Sequence, residues 1–194
     1  MEFYIHNITR YNDGIDVKSL IPDANMRRRM SSFLKMGVST AIKCLQESAE
    51  AGVDGIITST WLGCLSDSEK FLSSIISNGE QLLNPTPFIQ STANTIGGLI
   101  ALMTGNHCYN NTYTDKENGL QNAILDAMMS ISEKGSGRFL VGEINGDPSF
   151  LTEISGTHEG SLFMIISDRP SEESYGPYTF ENVSEIVKLA KECQ

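Results

Sequence analysis

The sequence predicts an α/β fold, with a five-stranded mixed sheet that carries helices on its faces. Strand-like and helix-like segments alternate along most of the chain. Residues 54–60 (DGIITST) have a continuous apolar middle, which is typical of a strand covered on both faces. Residues 138–144 and 161–167 are apolar runs joined by a loop rich in Gly, Asp, Pro and Ser, so they can pair antiparallel.

The first half of the chain begins with a strand and a helix. Residues 2–9 alternate with β-branched and aromatic side chains, which predicts a strand. A polar connection follows, and from about residue 29 apolar residues recur at helical spacing. After the strand at 54–60, a helix is predicted over 67–77 with a capping box at Ser66 and Glu69. Its apolar residues are predicted to face inward: Phe71, Leu72, Ile75 and Ile76.

Residues 84–105 (NPTPFIQSTANTIGGLIALMTG) join this helix to the next strand. Pro85 and Pro87 fix φ and remove hydrogen-bond donors, so residues 85–90 are predicted to be an extended loop. A buried helix follows. Its Gly97-Gly98 pair indicates close packing on another backbone, because glycine costs about 1 kcal/mol relative to alanine inside a helix.

The second half continues with a strand over 108–114 and a helix over 117–132. The two apolar strands of the predicted antiparallel pair come next. A polar linker is then predicted over 169–178, before a last helix over 180–193. This order predicts a domain over residues 1–168, followed by a linker and a C-terminal helix over 169–194.

Composition limits the classes of partner. The chain has 194 residues, 40% of them hydrophobic, and a formal net charge of −10, which argues against nucleic acid or an anionic membrane as partner. The four cysteines are scattered without a CxxC pair, so we expect reduced thiols, no metal site and a cytoplasmic location. No apolar run approaches the roughly 20 residues that span a bilayer.

Two segments carry a resemblance to a known family. Residues 94–101 (NTIGGLIA) are similar to the segment before the nucleophile of β-ketoacyl-acyl carrier protein synthases, where an Asn, small residues and a Gly open a buried helix. Residues 26–49 (MRRRMSSFLKMGVSTAIKCLQESA) resemble the early Arg-Met helix of that family. The resemblance covers most of the chain but only the first half of a ketosynthase. It is nearest to the short, chain-length-factor-like proteins of bacterial polyene and pigment clusters.

The resemblance implies one βαβαβαββ half of a thiolase-like fold, and with it a missing catalytic apparatus. A condensing ketosynthase needs a cysteine thiolate and two histidines. The resemblance places the nucleophile after the strand 108–114, where Glu117 stands, and residues 115–119 (DKENG) contain no cysteine. The histidine pair belongs to the second half of the family fold, and none of His6, His107 and His158 matches a family motif. We therefore expect no condensation by this chain alone, and no cofactor.

The resemblance also implies an oligomer. The loop 85–90 would approach a dimer axis and contribute to the partner's acyl tunnel, and the strand at 109–114 would pair across that axis. An unpaired edge there, and a sheet face that lacks its second sheet, would both be exposed. The residues predicted to form the acyl pocket and the dimer interface are Phe88, Gln90, Asn94, Tyr109, Asn111 and Tyr113.

The one basic cluster in this acidic chain consists of Arg27, Arg28 and Arg29, with Lys35. Three arginines that open a helix oppose the helix dipole, which indicates an anionic partner such as an acidic acyl carrier protein. A solvated helix start is the alternative.

Three functions remain open at this level. The first is a noncatalytic, chain-length-factor-type subunit that pairs with a complete ketosynthase. The second is a homodimeric acyl-thioester decarboxylase or hydrolase that depends on Glu117. The third is a scaffold that binds an acyl carrier protein without pocket chemistry.

Overall fold

The computed structural model describes residues 1–48, 50, 52–146 and 159–192. Short α1 (Val17–Leu20) and α2 (Ala24–Arg29) precede the long helix α3 (Ser32–Gln46). The strands are β1 (Phe3–Arg10), β2 (Gly55–Thr60), β3 (Tyr109–Thr114), β4 (Arg138–Asn145), β5 (Gly160–Ser167) and β6 (Tyr175–Tyr178). The later helices are α4 (Leu65–Asn78), α5 (Pro85–Gln90), α6 (Thr95–Thr104), α7 (Gly119–Lys134) and α8 (Val183–Glu192).

The described strands form one six-stranded sheet in the order β3-β2-β4-β5-β1-β6. β2 pairs parallel with β3 and β4, and the remaining pairs are antiparallel. The predicted α/β class and the antiparallel β4–β5 pair are confirmed. The prediction of five strands and of a polar linker reaching residue 178 is wrong, because Tyr175–Tyr178 forms β6 and pairs with β1.

Helices cover both faces of the sheet. Successive residues of a strand point to opposite faces, so neighbouring residues enter different cores. Ile56 belongs to a core formed with α3 and α6, whereas its neighbour Ile57 belongs to a core formed with α7 and α8. α8 contributes Val183, Ile186 and Ala190 to that second core. The expectation of an uncovered sheet face is therefore wrong.

Residues 85–90 form the helix α5 rather than the predicted extended loop. Asn84 is its N-cap, with Oδ1 accepting a hydrogen bond from Thr86 N–H at 3.0 Å. Pro85 occupies the first helical position, where its missing N–H costs nothing and its fixed φ suits a helix. The prolines thus begin a helix, and the extended-loop prediction is wrong.

The inward face predicted for α4 is also partly wrong. Phe71 and Ile75 are half-buried, but Leu72 and Ile76 are 59% and 84% exposed. The helix begins after Cys64, without a side-chain cap, rather than with the predicted capping box. It ends as predicted at Gly79, which takes the left-handed conformation with φ 56°.

Of the two adjacent glycines in α6, Gly97 alone is closely packed against another element. A Cβ added at Gly97 would lie 2.6 Å from Asn110 Oδ1, whereas one added at Gly98 would meet none of the described residues within 4 Å. Ile96 and Ile100 are buried, but Leu102 is 68% exposed, so α6 is buried on one face only.

Among the described residues, no helix combines the length and the apolar character that a membrane crossing requires.

Candidate functional site

Among the strands that the structure describes, β3 forms one edge of the sheet and pairs only with β2. The opposite edge is β6, which is four residues long and contains Pro177, whose nitrogen cannot donate to a further strand. Short strands and proline are common protections of a sheet edge. β3 carries neither, so it is the edge that is open to pairing.

The backbone of β3 presents three residues to this open edge. Asp115 N–H, directly after the strand, donates to Thr60 O of β2 at 3.2 Å. Backbone direction alternates along a strand, so the odd-numbered residues of β3 face β2. The N–H and C=O groups of Asn110, Thr112 and Thr114 therefore point away from the sheet.

The odd-numbered side chains of β3 converge on one carboxylate of α7. Asp126 Oδ2 accepts hydrogen bonds from Tyr109 Oη at 2.9 Å, Asn111 Nδ2 at 3.1 Å and Tyr113 Oη at 3.2 Å. The pKa of both tyrosines is raised, first by burial and then by the neighbouring Asp126. The structure thus brings together three of the predicted interface residues and fixes them on α7.

Asp126 itself was missed by reasoning from the sequence. A signal was available, because aspartate is a poor residue for a helix interior and this one lies beside the buried Ala127. Ser130 Oγ, one turn later, also donates to Asp126 at 3.4 Å. The carboxylate therefore serves tertiary contacts rather than the solvated face of α7.

The even-numbered side chains of β3 face α6 and β2. Asn110 Nδ2 donates to Gly97 O at 3.0 Å, and the hydroxyls of Thr112 and Thr58 are 2.8 Å apart. Asn94, another predicted interface residue, is the exposed N-cap of α6, and its carbonyl oxygen accepts from Gly98 N–H at 3.0 Å. The Asn110 contact holds α6 against the edge strand, whereas the Thr112 contact joins β3 to β2.

Glu117 lies in the exposed turn between β3 and α7. Asp115 Oδ1 accepts the N–H groups of Glu117 and Asn118, at 2.8 and 2.9 Å, which holds the pKa of Asp115 below its usual value. The aspartate therefore shapes the turn, and the Glu117 side chain projects from it.

None of the described cysteines lies within this turn. Cys108 is exposed at the opposite end of β3. Burial raises the pKa of Cys44 and of Cys64 to about 12, so neither thiol is ionised near neutral pH. Cys193 lies outside the described residues. Residues 115–119, which include this turn, contain no cysteine.

The described histidines, His6 and His107, lie at the other end of the parallel strands. His107 precedes β3. His6 Nε2 is 2.9 Å from Ser167 Oγ, and Ser167 pairs with Arg138 at the start of β4. The length of β3 therefore separates both from Glu117, at about 3.3 Å per residue. Burial and the charge of Arg138 lower the pKa of His6. His158 lies outside the described residues.

His6 lines a cavity of about 450 Å³ with Arg138, Arg169 and several glutamates. A second cavity, of about 230 Å³, lies between the starts of α3 and α4. Neither cavity is lined by the predicted acyl-pocket residues.

Phe88 and Gln90 lie on α5, which packs against α4. The Phe88 ring lies 5.2 Å from that of Phe71, yet 58% of Phe88 remains exposed. Gln90 is half-buried. The structure places both on a surface that this chain covers incompletely.

The basic cluster ends a helix rather than opening one. Arg27, Arg28 and Arg29 form the last turn of α2, where cations suit the helix dipole. Arg27 Nη1 donates to Ile21 O at 2.5 Å, Arg28 and Arg29 are exposed, and Lys35 is half-buried on α3. The electrostatic argument for an anionic partner is therefore wrong, although the exposed charges remain.

Comparisons with known proteins identify the family of this chain and solved structures that share its fold. The family described as "Beta-ketoacyl synthase, N-terminal domain" matches residues 10–147, which is more than half of the chain. The chain therefore belongs to the β-ketoacyl synthase family, and the resemblance in its sequence is confirmed. No curated protein sequence matches it.

Solved structures share the thiolase-like fold. A chain of "Ketosynthase (ApeO) in Complex with its Chain Length Factor (ApeC) from Xenorhabdus doucetiae" matches with a TM-score of 0.72 at 14% identity, over 99% of this chain and 92% of that one. "The ishigamide ketosynthase/chain length factor" matches with a TM-score of 0.70 at 14% identity, over 83% of this chain and 50% of that one. A chain of the type II polyketide synthase complex AntDE:AntF matches with a TM-score of 0.69 at 15% identity, over 87% of this chain and 62% of that one.

Proposed function

We propose that this chain is a noncatalytic, chain-length-factor-type subunit that pairs with a complete β-ketoacyl synthase and shapes the pocket in which its acyl chain grows. The observation that carries the proposal is the open edge of β3, directly before a turn that lacks the thiol of the family. The names of two similar structures describe ketosynthases with chain length factors, which supports a partner of this kind.

Exposed apolar side chains on α4 and α5 support the same proposal. Ile76 is 84% exposed, and Phe88 and Ile89 are 58% and 67% exposed. Large exposed apolar groups that are not isolated commonly mark a protein interface. We propose that Phe88 and Gln90 reach the acyl tunnel of the partner and limit its length.

The test is co-purification of this chain with a complete ketosynthase, with the mass of the complex measured by light scattering. Thr112→Pro removes a donor from the open edge, where proline is tolerated because the N–H faces outward. Glu172→Pro is the matched control, since this residue opens an exposed turn in which Ser174 N–H donates to Ser171 O. We expect a one-to-one complex with the wild type and the control, and none with Thr112→Pro.

The complex then allows the pocket to be tested. Phe88→Ala should lengthen the acyl product, whereas Leu82→Ala, at a side chain that is 98% exposed, should not. Failure of the wild-type chain to bind a ketosynthase would overturn the subunit role. Unchanged product length with Phe88→Ala would overturn only the pocket role.

A carrier-protein site at Arg28 and Arg29 forms part of this proposal. Both side chains are exposed at the end of α2, and an acidic carrier protein would be attracted to them. Reversing both charges should weaken carrier binding, measured by calorimetry, without affecting subunit pairing. The decarboxylase alternative has less support, since Glu117 lies in an exposed turn and the described histidines lie at the far end of the strands.

A further inference from the structure

At the centre of the unpaired edge of β3, a side chain of the same strand already occupies one backbone hydrogen-bond donor. Of the three residues that face outward, Thr112 is the middle one. Its N–H donates to Oδ1 of the preceding residue, Asn111, at 2.9 Å. A strand that paired with this edge would need the same N–H, so it would first have to displace the Asn111 side chain.

Asn111 is held in this position from its other end. Its Nδ2 group donates to Asp126 Oδ2 at 3.1 Å and to Tyr109 Oη at 3.3 Å. Asp126 Oδ2 is in turn fixed by the hydroxyls of Tyr109 and Tyr113, at 2.9 and 3.2 Å. The two polar ends of one amide thus join the outward backbone of β3 to the carboxylate of α7, so the cap is built into the fold.

We propose that Asn111 is a removable cap that disfavours pairing of β3 with a second copy of this chain and reserves the edge for a strand of a different protein. The identity of that protein as a ketosynthase rests on the proposed function, whereas the cap itself does not.

Symmetry supplies the discrimination. Pairing of two β3 strands about a two-fold axis would displace two Asn111 caps, one from each copy, whereas a different partner strand displaces one. Charge acts in the same direction, because each copy carries a formal net charge of −10 and two copies repel each other. The cap on the Thr112 N–H therefore disfavours pairing with a second copy of this chain more than pairing with a strand of a different protein.

The test uses the isolated full chain, without a ketosynthase. Asn111→Ala removes the cap, and Asn111→Val removes it with a side chain that favours strands, which guards against loss of β3. Asn110→Ala is the matched control, because it removes an amide from the same strand whose Nδ2 group contacts Gly97 O instead of an outward N–H. Hydrogen exchange at the Thr112 amide and self-association by sedimentation are measured for each variant.

At a protein concentration where the chain is monomeric, we expect the Thr112 amide to exchange about tenfold faster in both Asn111 variants, because each loses one hydrogen bond. Self-association should tighten by about a hundredfold, because a homodimer would otherwise displace two caps. Asn110→Ala should change neither quantity. A wild-type chain that is already a tight homodimer, or Asn111 variants with unchanged Thr112 exchange, would overturn the cap. Failure to bind a ketosynthase would overturn the proposed function, but the exchange and self-association measurements would still test the cap, because they use the isolated chain.

Discussion

Glycines of this chain occupy two different environments, and each environment predicts a different response to alanine. Gly142 lies in β4, between β2 and β5, and a Cβ there would meet the ring of the fully buried Phe163 at 2.3 Å. Gly98 lies in α6, where a Cβ would meet no atom of the described part of the chain within 4 Å. Gly142 thus makes room for an aromatic ring, whereas Gly98 only lowers the helix propensity of α6.

Gly142→Ala should lower the free energy of unfolding by about 1–3 kcal/mol, because the core must accommodate an extra methyl group. Gly98→Ala should raise it by about 0.5–1 kcal/mol, because alanine favours the helix and clashes with nothing. Urea unfolding measures both. Equal stability of the two variants would contradict the packing described for β4.

Residue-scale roles divide into those that the sequence reveals and those that it hides. The absence of a cysteine from residues 115–119, which include the turn after β3, follows from the sequence alone. The contact of Asp126 with Tyr109 and Tyr113 does not, because it depends on how α7 crosses β3. The glycine pair of α6 shows the same limit: the sequence indicates the cost of two glycines, but only the position of Asn110 shows which of them is packed.

Elements with strong periodicity were predictable, whereas elements that depend on a neighbour were not. The runs that form β2, β4 and β5 are apolar enough to specify strands in a covered sheet. β6 is only four residues long and is largely exposed, so its pairing with β1 is what makes it a strand. α5 was mistaken for a loop because proline is compatible both with an extended segment and with the first turn of a helix.

The C-terminal helix α8 provides the element-scale prediction. Ile186 is fully buried against the core that α7 and the sheet share, so Ile186→Ala should lower the free energy of unfolding by about 2–4 kcal/mol. Lys188→Ala is the control on the same helix. Its side chain is 68% exposed and its 3.3 Å ion pair with Glu192 is at the surface, so the change should stay within about 0.5 kcal/mol.

Thermal and urea unfolding of the two variants test whether α8 belongs to the folding unit. A negligible effect of Ile186→Ala would favour the division predicted at residue 168, with 169–194 as an appendage. A loss of about 2–4 kcal/mol in the free energy of unfolding would favour one cooperative unit that includes α8.

At the scale of the whole molecule, the arrangement separates two steps of ketosynthase chemistry. Acylation needs a thiolate, and the start of a helix such as α7 lowers the pKa of a thiol placed there. Condensation also needs groups that assist decarboxylation and stabilise an oxyanion, and these must lie within hydrogen-bond reach of the reacting atoms. His6 and His107 are at the opposite end of the parallel strands from Glu117, so neither meets this requirement.

Glu117→Cys should therefore gain the first step without the second. We expect the purified variant to accept an acyl group from an acyl carrier protein, visible as a covalent mass increase, because its new thiol lies in the exposed turn before α7. We expect no condensation product with malonyl-carrier protein, in an assay where a complete ketosynthase serves as the positive control. Glu117→Ser, which has no thiol, controls for acylation of Cys108, the exposed cysteine of the described residues. Condensation by the Glu117→Cys chain alone would show that this half-fold holds the remaining catalytic groups, and it would move the function from a pairing subunit to an enzyme that has lost only its nucleophile.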